Sequence, residues 1–489
     1  MRTYIKDLNK NIFDASNSSI DNGDTQKEVT VMGWVQVRRD QGKMIFLDIR
    51  DTTGIVQGVI LPMHTDALAV GGTLRTEWCV EVTGKVNKRP ERNVKKVLNE
   101  KTGLDEIVLN GDIELEVTGI KVLNESETPA FDLTTSGLEV SEEVRLKYRY
   151  LDLRRERLAK NIKNRSRVQQ HIRNYFIDNN FVEVETPLMS APTPEGSRSY
   201  VVPSRIWKGN FYSLPQSPQQ YKQLLMVGGL ERYFQFAHCM RDEDTRGDRQ
   251  PEFTQLDLEM SFVTEEDIMS INEKLLIEIV EKFYPEKRIQ SVPFPRISYA
   301  DAMSKYGNDR PDIREDKEDK NLLAFCWVTD FPAFEKTGAD NVDGTGEWTF
   351  THNPFTRVRD EHMSDYMEKK NIEKLISTQY DITLNGFEIG GGGLRSYKPE
   401  MLKKTFEIMG YTDEKTEKMF GHMIDAMKFG APPHGGIAWG FDRLMMLLEN
   451  EPNIREVIAF AKTGEGRDLM MNAPAEISDK QKRELGLIK

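Results

Sequence analysis

The sequence predicts an α+β protein in two parts, a small five-stranded β-barrel followed by a larger mixed domain. Three observations carry this. The chain has 489 residues, more than one hydrophobic core organises efficiently. Its first part reads as short β-rich runs between turn signals. Beyond a polar, proline-containing stretch, apolar residues recur at helical spacing between long strand pairs. With 38% hydrophobic and 30% charged residues, a wholly disordered chain is excluded. No stretch reaches the run of about 18 apolar residues that a membrane helix needs, and the start lacks the apolar block of a signal peptide. A cytoplasmic protein without a membrane partner is expected. Cys79, Cys239 and Cys326 lie far apart without CxxC pairing, which leaves neither a disulfide framework nor a thiolate zinc site. The formal charge of -12 offers no general attraction for a polyanion, so any nucleic acid must be held by local patches.

The runs EVTVMGWVQVRR, KMIFLDIRD and GIVQGVIL fall within residues 28–61, broken at Asp40-Gln41-Gly42 and Thr52-Thr53-Gly54. Further strands are expected at 77–84 and 113–122. Five strands in about 110 residues fit a small barrel, and the oligonucleotide-binding barrel is one of few architectures of that size. Any other small β-domain is the alternative. The barrel is placed at 1–118, a hinge at 119–145 and the second domain at 146–489. There Leu158, Ile162, Ile172 and Phe176 mark a basic amphipathic helix running to about Asn180. Phe181 to Glu185 reads as a strand stopped at Pro187. Helices are expected near 265–283 and 400–428, with a last one starting close to Asp442. Residues 315–320 are a solvated charge run.

Two hairpins carry faces that do not look like core. Asn385-Gly386 is a strong two-residue hairpin signal, which sets Leu384 opposite Phe387, Thr383 opposite Glu388 and Asp381 opposite Gly390. Ile382, Leu384, Phe387 and Ile389 then form an apolar face. The other face brings Asp381 and Glu388 together as diagonal neighbours able to share a cation. Gly390 to Gly393 follow, as where a ligand approaches backbone closely. A solvated sheet face is the alternative. The second hairpin has strands near 233–241 and 253–262. Phe234, Phe236, Met240, Leu256, Leu258, Met260 and Phe262 share one face, whereas Gln235, Arg241, Phe253, Gln255, Asp257 and Glu259 share the other. Two such polar faces suggest the floor of a cleft.

Ser217-Pro218 suits an N-cap and first helical residue, with Tyr221, Leu224 and Leu225 as the buried stripe and Gln219 and Lys222 on another face. Arg443, in the first turn of the helix opened by Gly440-Phe441-Asp442, opposes the helix dipole unless an anion lies there. No GxxxxGK[ST] loop is present. His352 and His434 are isolated from any nucleophile elbow.

At these residues the sequence resembles the class II aminoacyl-tRNA synthetases, in particular the bacterial aspartate–tRNA ligases, over essentially the whole chain. The stretches TPEGS, LPQSPQQYKQLLM, DRQPEFTQLDLE, FEIGGGGLR and GFDR follow that family's wording. The resemblance implies an anticodon-binding barrel of the oligonucleotide-binding type, an antiparallel sheet carrying the active site, and a homodimer whose interface includes the Pro187 segment. It implies ATP-dependent formation of aspartyl-adenylate and transfer of the aspartyl group to the 3′ end of tRNA. Asparagine ligation, or ammonia-dependent asparagine synthesis on the same catalytic domain, is the alternative.

By motif position, Arg241 and Arg443 are the catalytic residues. ATP contacts fall to Arg241, Asp242, Glu243, Gln250, Phe253, Glu388, Gly440, Phe441, Asp442 and Arg443, with adenine between Arg443 and Phe253. Asp381 and Glu388 would carry Mg²⁺. Lys222 and Arg395, assisted by His352, would take the acidic side chain, so that asparagine leaves two cations unpaired. Glu195, Gln219 and Asp257 would bind the ammonium, with Gln255 and Arg241 as further aspartate contacts and Thr193 to Ser199 as a closing loop. Arg38, Phe46 and Gln57 would meet the anticodon, and whether tRNA for asparagine is also charged turns on such contacts. The insertion domain usual in bacterial members is expected to be absent near 314–322.

Overall fold

The computed structural model describes residues 1–9, 28–99, 104–192, 198–337 and 346–488. These divide into two compact units, Met1–Val140 and Ser141–Lys489.

In the first unit, strands β1 (Glu28–Gln41), β2 (Met44–Asp51) and β3 (Gly54–Ile60), helix α1 (Thr65–Thr73), and strands β4 (Cys79–Lys88) and β5 (Ile113–Asn124) build a closed barrel in the order β1-β2-β3-β5-β4. Alternate residues point inward, so Val31, Val35, Leu47, Ile49, Val80, Val82, Leu115 and Val117 fill the interior, as period-two alternation requires. β5 runs to Asn124, past the boundary expected at 118, because β4 still pairs with it beyond an irregularity after Val117 and Ile120 and Val122 still pack on the barrel core.

In the second unit the elements that build the site are α2 (Glu156–Asp178), β6 (Val182–Glu183), α3 (Gln219–Val227), β7 (Arg232–Met240), β8 (Glu252–Ser261), α4 (Glu265–Phe283), β9 (Arg296–Ser298), β10 (Phe325–Thr329), β11 (Gln379–Leu384), β12 (Phe387–Leu394), α5 (Pro399–Ile408), α6 (Asp413–Met427), β13 (His434–Gly440) and α7 (Phe441–Leu448). Eight strands form one sheet in the order β9-β10-β11-β12-β13-β8-β7-β6. The inner pairings are antiparallel, while β9 with β10 and β6 with β7 pair parallel at the two edges. Helices α2, α4 and α7 cover one sheet face through Ile172, Phe176, Leu275, Leu276, Ile279, Leu444 and Met445, packed on Leu256, Leu258, Trp327, Ile382, Ile437 and Trp439. A capping box between Thr264 and Asp267 starts α4, satisfying backbone donors that no helical carbonyl can reach. Removing the fully buried Phe176 side chain would cost about 3–5 kcal/mol. The opposite face of the sheet is the polar one.

Several local expectations are corrected. The stretch 400–428 is two helices, divided at Gly410 with φ +81°, a backbone state glycine adopts freely. α7 is followed by a further short helix, Asp479–Glu484. Of the expected strand, Val182 and Glu183 stand in register with β7, and the Val184 N–H donates to the Phe234 carbonyl at 3.2 Å. Phe262 is 68% exposed, because its φ of +59° ends β8 and turns the ring out of the apolar face. Pro218, not Ser217, holds the cap position of α3, without a side-chain bond. Between Gly307 and Asn321 the chain is loop leading to Leu322, and no inserted domain stands there. Cys239 and Cys326 are buried and Cys79 partly so, and none of the three is in a disulfide.

Candidate active site

The polar sheet face floors a cleft of about 380 Å³ lined by residues of α3, β8, β11, β12 and β13, the 241–250 loop and the start of α7. This lies in the usual range for small-molecule sites. Of the residues singled out in the sequence, Gln219, Lys222, Arg241, Glu243, Gln250, Phe253, Gln255, Asp257, His352, Asp381, Glu388, Arg395, Gly440, Asp442 and Arg443 all line it.

At one end four charges are buried together. The Nζ of Lys222 lies 2.5 Å from Asp257 Oδ1 and 3.3 Å from Glu259 Oε2. Arg395 donates from Nε and Nη2 to the two Glu259 oxygens at 2.9 and 3.2 Å. Lys222 and Arg395, expected to meet the acidic side chain of the substrate, are here paired with Asp257 and Glu259, since an unpaired buried charge would be far costlier. Lys222 reaches this place because the buried face of α3 is polar: Gln219, Gln220, Lys222 and Gln223 are buried, while Tyr221, Leu224 and Leu225 are only partly so. Glu259 approaches β13 so closely that a Cβ on Gly436 would lie 2.1 Å from its Oε2.

The two carboxyls respond oppositely. Burial pushes Asp257 up, and Lys222 only partly offsets it. Burial also acts to raise Glu259, but the charges of Arg395 and Lys222 outweigh it and hold that carboxyl below its ordinary range. Asp257 Oδ2 and Gln219 Nε2 are buried with no protein partner, one open acceptor and one open donor. Burial lowers the neighbouring His434, whose Nδ1 lies 2.7 Å from the Pro432 carbonyl.

In the middle of the cleft, the observed register sets Asp381 opposite Gly391, not Gly390. The ladder shifts between Ile382 and Thr383, leaving Ile389 as the extra residue of a β-bulge, a kink that re-aims side chains near a site. Thr383–Glu388 and Leu384–Phe387 pair as expected, although Phe387, at the hairpin tip, is exposed rather than core. Asp381 is buried, and Gln379 Nε2 donates to its Oδ1 at 2.6 Å. A Cβ on Gly391 would come within 2.6 Å of the same oxygen, so a side chain there would displace the carboxyl. Burial, reinforced by the negative charge of Glu388, pushes the Asp381 carboxyl well above its usual range. Two carboxylates forced together in this way fit a hard divalent cation, which takes one or two protein carboxylates and completes its shell with substrate phosphates.

At the other end, the Arg241 guanidinium sits 5.2 Å over the Phe253 ring, and Arg443 Nη2 meets Asp248 Oδ2 at 3.1 Å while Nη1 donates to the Glu388 carbonyl. Asp248 thus supplies near Arg443 the negative charge that the helix dipole disfavours losing. Gln250 accepts the Lys462 backbone N–H at 2.8 Å and leaves its Nε2 unpartnered. His352 is exposed, its ring edge-on to Phe331 at 4.8 Å.

Two expected contacts are not brought to the cleft. Asp242 bonds Arg198 instead, and the Phe441 ring is buried against Phe236 and Arg165. Glu195 and most of the 193–199 loop lie outside the described residues. Glu259 and Gln379 were missed as site residues. The signal for Glu259 was its place two residues after Asp257 on one strand face. In the barrel, Asp48 pairs with Gln57, and Arg39 pairs with Phe46, so these share a face on which Arg39 forks to Asp48 at 2.9 and 3.1 Å. Arg38 is opposite Leu47 and falls on the other face.

The matched families agree with both units. Residues 141–464 match the model of tRNA synthetases class II (D, K and N), and residues 29–123 match that of the OB-fold nucleic acid binding domain. The chain belongs to the class II tRNA synthetases. An aspartate–tRNA(Asp/Asn) ligase of Rubrobacter xylanophilus is 38% identical, the alignment covering 94% of each chain, and an aspartate–tRNA ligase of Macrococcus caseolyticus is 37% identical over 94% of this chain and 95% of that one. By these relatives the chain falls among the aspartate–tRNA ligases. The first alignment spans 582 positions, more than this chain's 489 residues, so the relative carries segments this chain lacks. The fold is shared with Entamoeba histolytica asparaginyl-tRNA synthetase in complex with asparaginyl-adenylate, at TM-score 0.69 and 22% identity over 90% of this chain and 96% of that one. It is also shared with an aspartyl-tRNA synthetase of the same organism, at TM-score 0.66 and 23% identity over 91% and 92%.

Proposed function

We propose that this cleft joins L-aspartate to ATP and passes the aspartyl group to tRNA. The observation that carries it is the buried pairing of Lys222 and Arg395 with Asp257 and Glu259 in one cleft with Asp381, Glu388, Arg241 and Arg443. An ammonium fits Asp257 Oδ2, the open acceptor, and its charge favours the ionised carboxylate that burial opposes. Lys222, relieved of Asp257, then turns to the substrate's side-chain carboxylate, with Arg395 held beside it. A carboxamide in that position carries no charge to match the lysine, which favours aspartate over asparagine.

The reaction is positioning and charge stabilisation. Arg241 holds the attacking α-carboxylate against the α-phosphate, its guanidinium bonding two oxygens at once. The α-carboxylate oxygen forms a bond to the α-phosphorus and pyrophosphate leaves. The terminal ribose hydroxyl of tRNA then attacks the activated carbonyl carbon, and AMP departs. Phe253 and Arg443 hold the adenine. Asp381 and Glu388 would hold Mg²⁺, which when bound neutralises and orients the phosphates.

Exposed Leu188, Met189, Ile206, Trp207 and Phe211 support a homodimer through the Pro187 segment. In the barrel, Phe46, Gln57 and Arg39 form the anticodon face. A second reading, charging of tRNA for asparagine as well, is favoured by the relative named for both tRNAs. Aminoacylation with ATP, aspartate and two purified tRNAs, one of each identity, tests both. Charging of the aspartate tRNA alone rejects the broader reading, and charging of neither rejects the proposal.

A further inference from the structure

We infer that Asp442 is a positioning residue that sets the spacing of the nucleotide slot and is held to that task by Arg165, rather than a group that touches ATP. The inference rests on reading the cleft as an adenylate-forming site and deepens it. Asp442 stands in the first turn of α7 and is 3% exposed. Its Oδ1 is 2.5 Å from Arg165 Nη1, and its Oδ2 accepts the Thr254 backbone N–H at 2.8 Å. Both oxygens therefore have protein partners, although the residue stands in the cleft wall.

The atoms that Asp442 joins flank the slot. Thr254 follows Phe253 on β8, and Asp442 precedes Arg443 on α7. One carboxylate thus ties the strand carrying the ring to the helix carrying the guanidinium. The sheet cannot do this by itself. β13 ends at Gly440, opposite Gln255, so its ladder stops one residue short of Thr254, and Asp442 supplies an acceptor where the strand no longer does. Arg165 lies on α2, outside the residues lining the cleft, with its guanidinium 4.8 Å from the Phe441 ring and Nη1 3.4 Å from the Val457 carbonyl. It anchors the carboxylate to the core helix, and the charge-assisted pair fixes the rotamer from behind. A small shift of either wall of the slot changes nucleotide affinity strongly, whereas the aspartate end is built on other residues.

The test measures ATP binding by calorimetry and the separate KM values for ATP and aspartate in ATP–pyrophosphate exchange, on the full chain and its Asp442→Ala, Arg165→Met and Arg165→Lys variants. Asp442→Ala is expected to weaken ATP by about tenfold or more and to leave the aspartate KM within about twofold. Arg165→Met is expected to weaken ATP by about fivefold, and Arg165→Lys to recover most of that loss. Should Asp442→Ala fail to fold, the Arg165 pair decides by the same comparison. ATP affinity within about twofold of the parent in the folded variants, or both KM values rising together, overturns the inference. Absence of aspartate-dependent exchange in the parent chain would instead count against the adenylate reading, and calorimetry would still decide whether Arg165 and Asp442 govern ATP.

Discussion

Replacing Glu259 by glutamine isolates the charge that holds the substrate end together. Glu259 is fully buried, so the effect needs no discount for solvent screening. It accepts two bonds from Arg395, at 2.9 and 3.2 Å, and faces Lys222 at 3.3 Å. Glutamine keeps the shape and one acceptor, but sets an amide N–H₂ against a cation and leaves two positive charges sharing Asp257. Breaking a buried pair costs about 3–5 kcal/mol, and the two bonds to a charged partner, at about 1.5–3 kcal/mol each, reach the same range. Urea unfolding of parent and variant measures the loss. Adding Lys222→Met removes one of the stranded cations, so the double variant is expected to recover at least about 1 kcal/mol relative to the sum of the singles. A Glu259→Gln protein within about 1 kcal/mol of the parent, or strict additivity in the cycle, would refute the reasoning.

Lys222→Met alone is expected to raise the aspartate KM by about a hundredfold while moving the ATP KM by less than threefold. Equal rises would show that it supports the fold only. Chelation by EDTA is expected to abolish ATP–pyrophosphate exchange, and Asp381→Asn to raise the Mg²⁺ concentration giving half-maximal rate by about tenfold; an unchanged requirement would move the metal elsewhere. For pH, burial acts to raise Glu456, but Arg145 and Arg157 outweigh it and hold the carboxyl below its ordinary value of 4.5. A depressed folded value contributes stability that is complete above 4.5 and is lost as pH falls through the folded value. Glu456→Gln should therefore be less stable than the parent at pH 7, with the gap in melting temperature closing under acid conditions. A constant gap would contradict the assignment.

How much of this was legible in the sequence follows from which residues obey a period. β1 to β5 could be read because inward and outward residues alternate strictly from Val29 to Val35 and from Ile113 to Val117. The polar faces of both hairpins are legible for the same reason, and they point to Asp257, Asp381 and Glu388. The register of β11 on β12 is not, because the bulge at Ile389 shifts the pairing by one residue without a sequence signal. The apolar stripe of α3 is only half of its buried surface: Leu224 packs on the Phe406–Phe420 cluster, but Gln219, Lys222 and Met226 are buried more deeply on the side toward the sheet. The period places Glu259 on the polar face but gives it no role, because a carboxylate at 0% exposure makes sense only with its two cations around it. Motif position makes Asp442 a ligand contact, whereas in the fold both its oxygens are taken by Arg165 and the Thr254 N–H.

The most direct measurement of the central claim is exchange of labelled pyrophosphate into ATP without tRNA, with aspartate and asparagine offered separately. The buried charge cluster predicts exchange with aspartate at a kcat/KM at least about a hundredfold above that with asparagine. Equal rates with both amino acids, or exchange driven by asparagine alone, would contradict it.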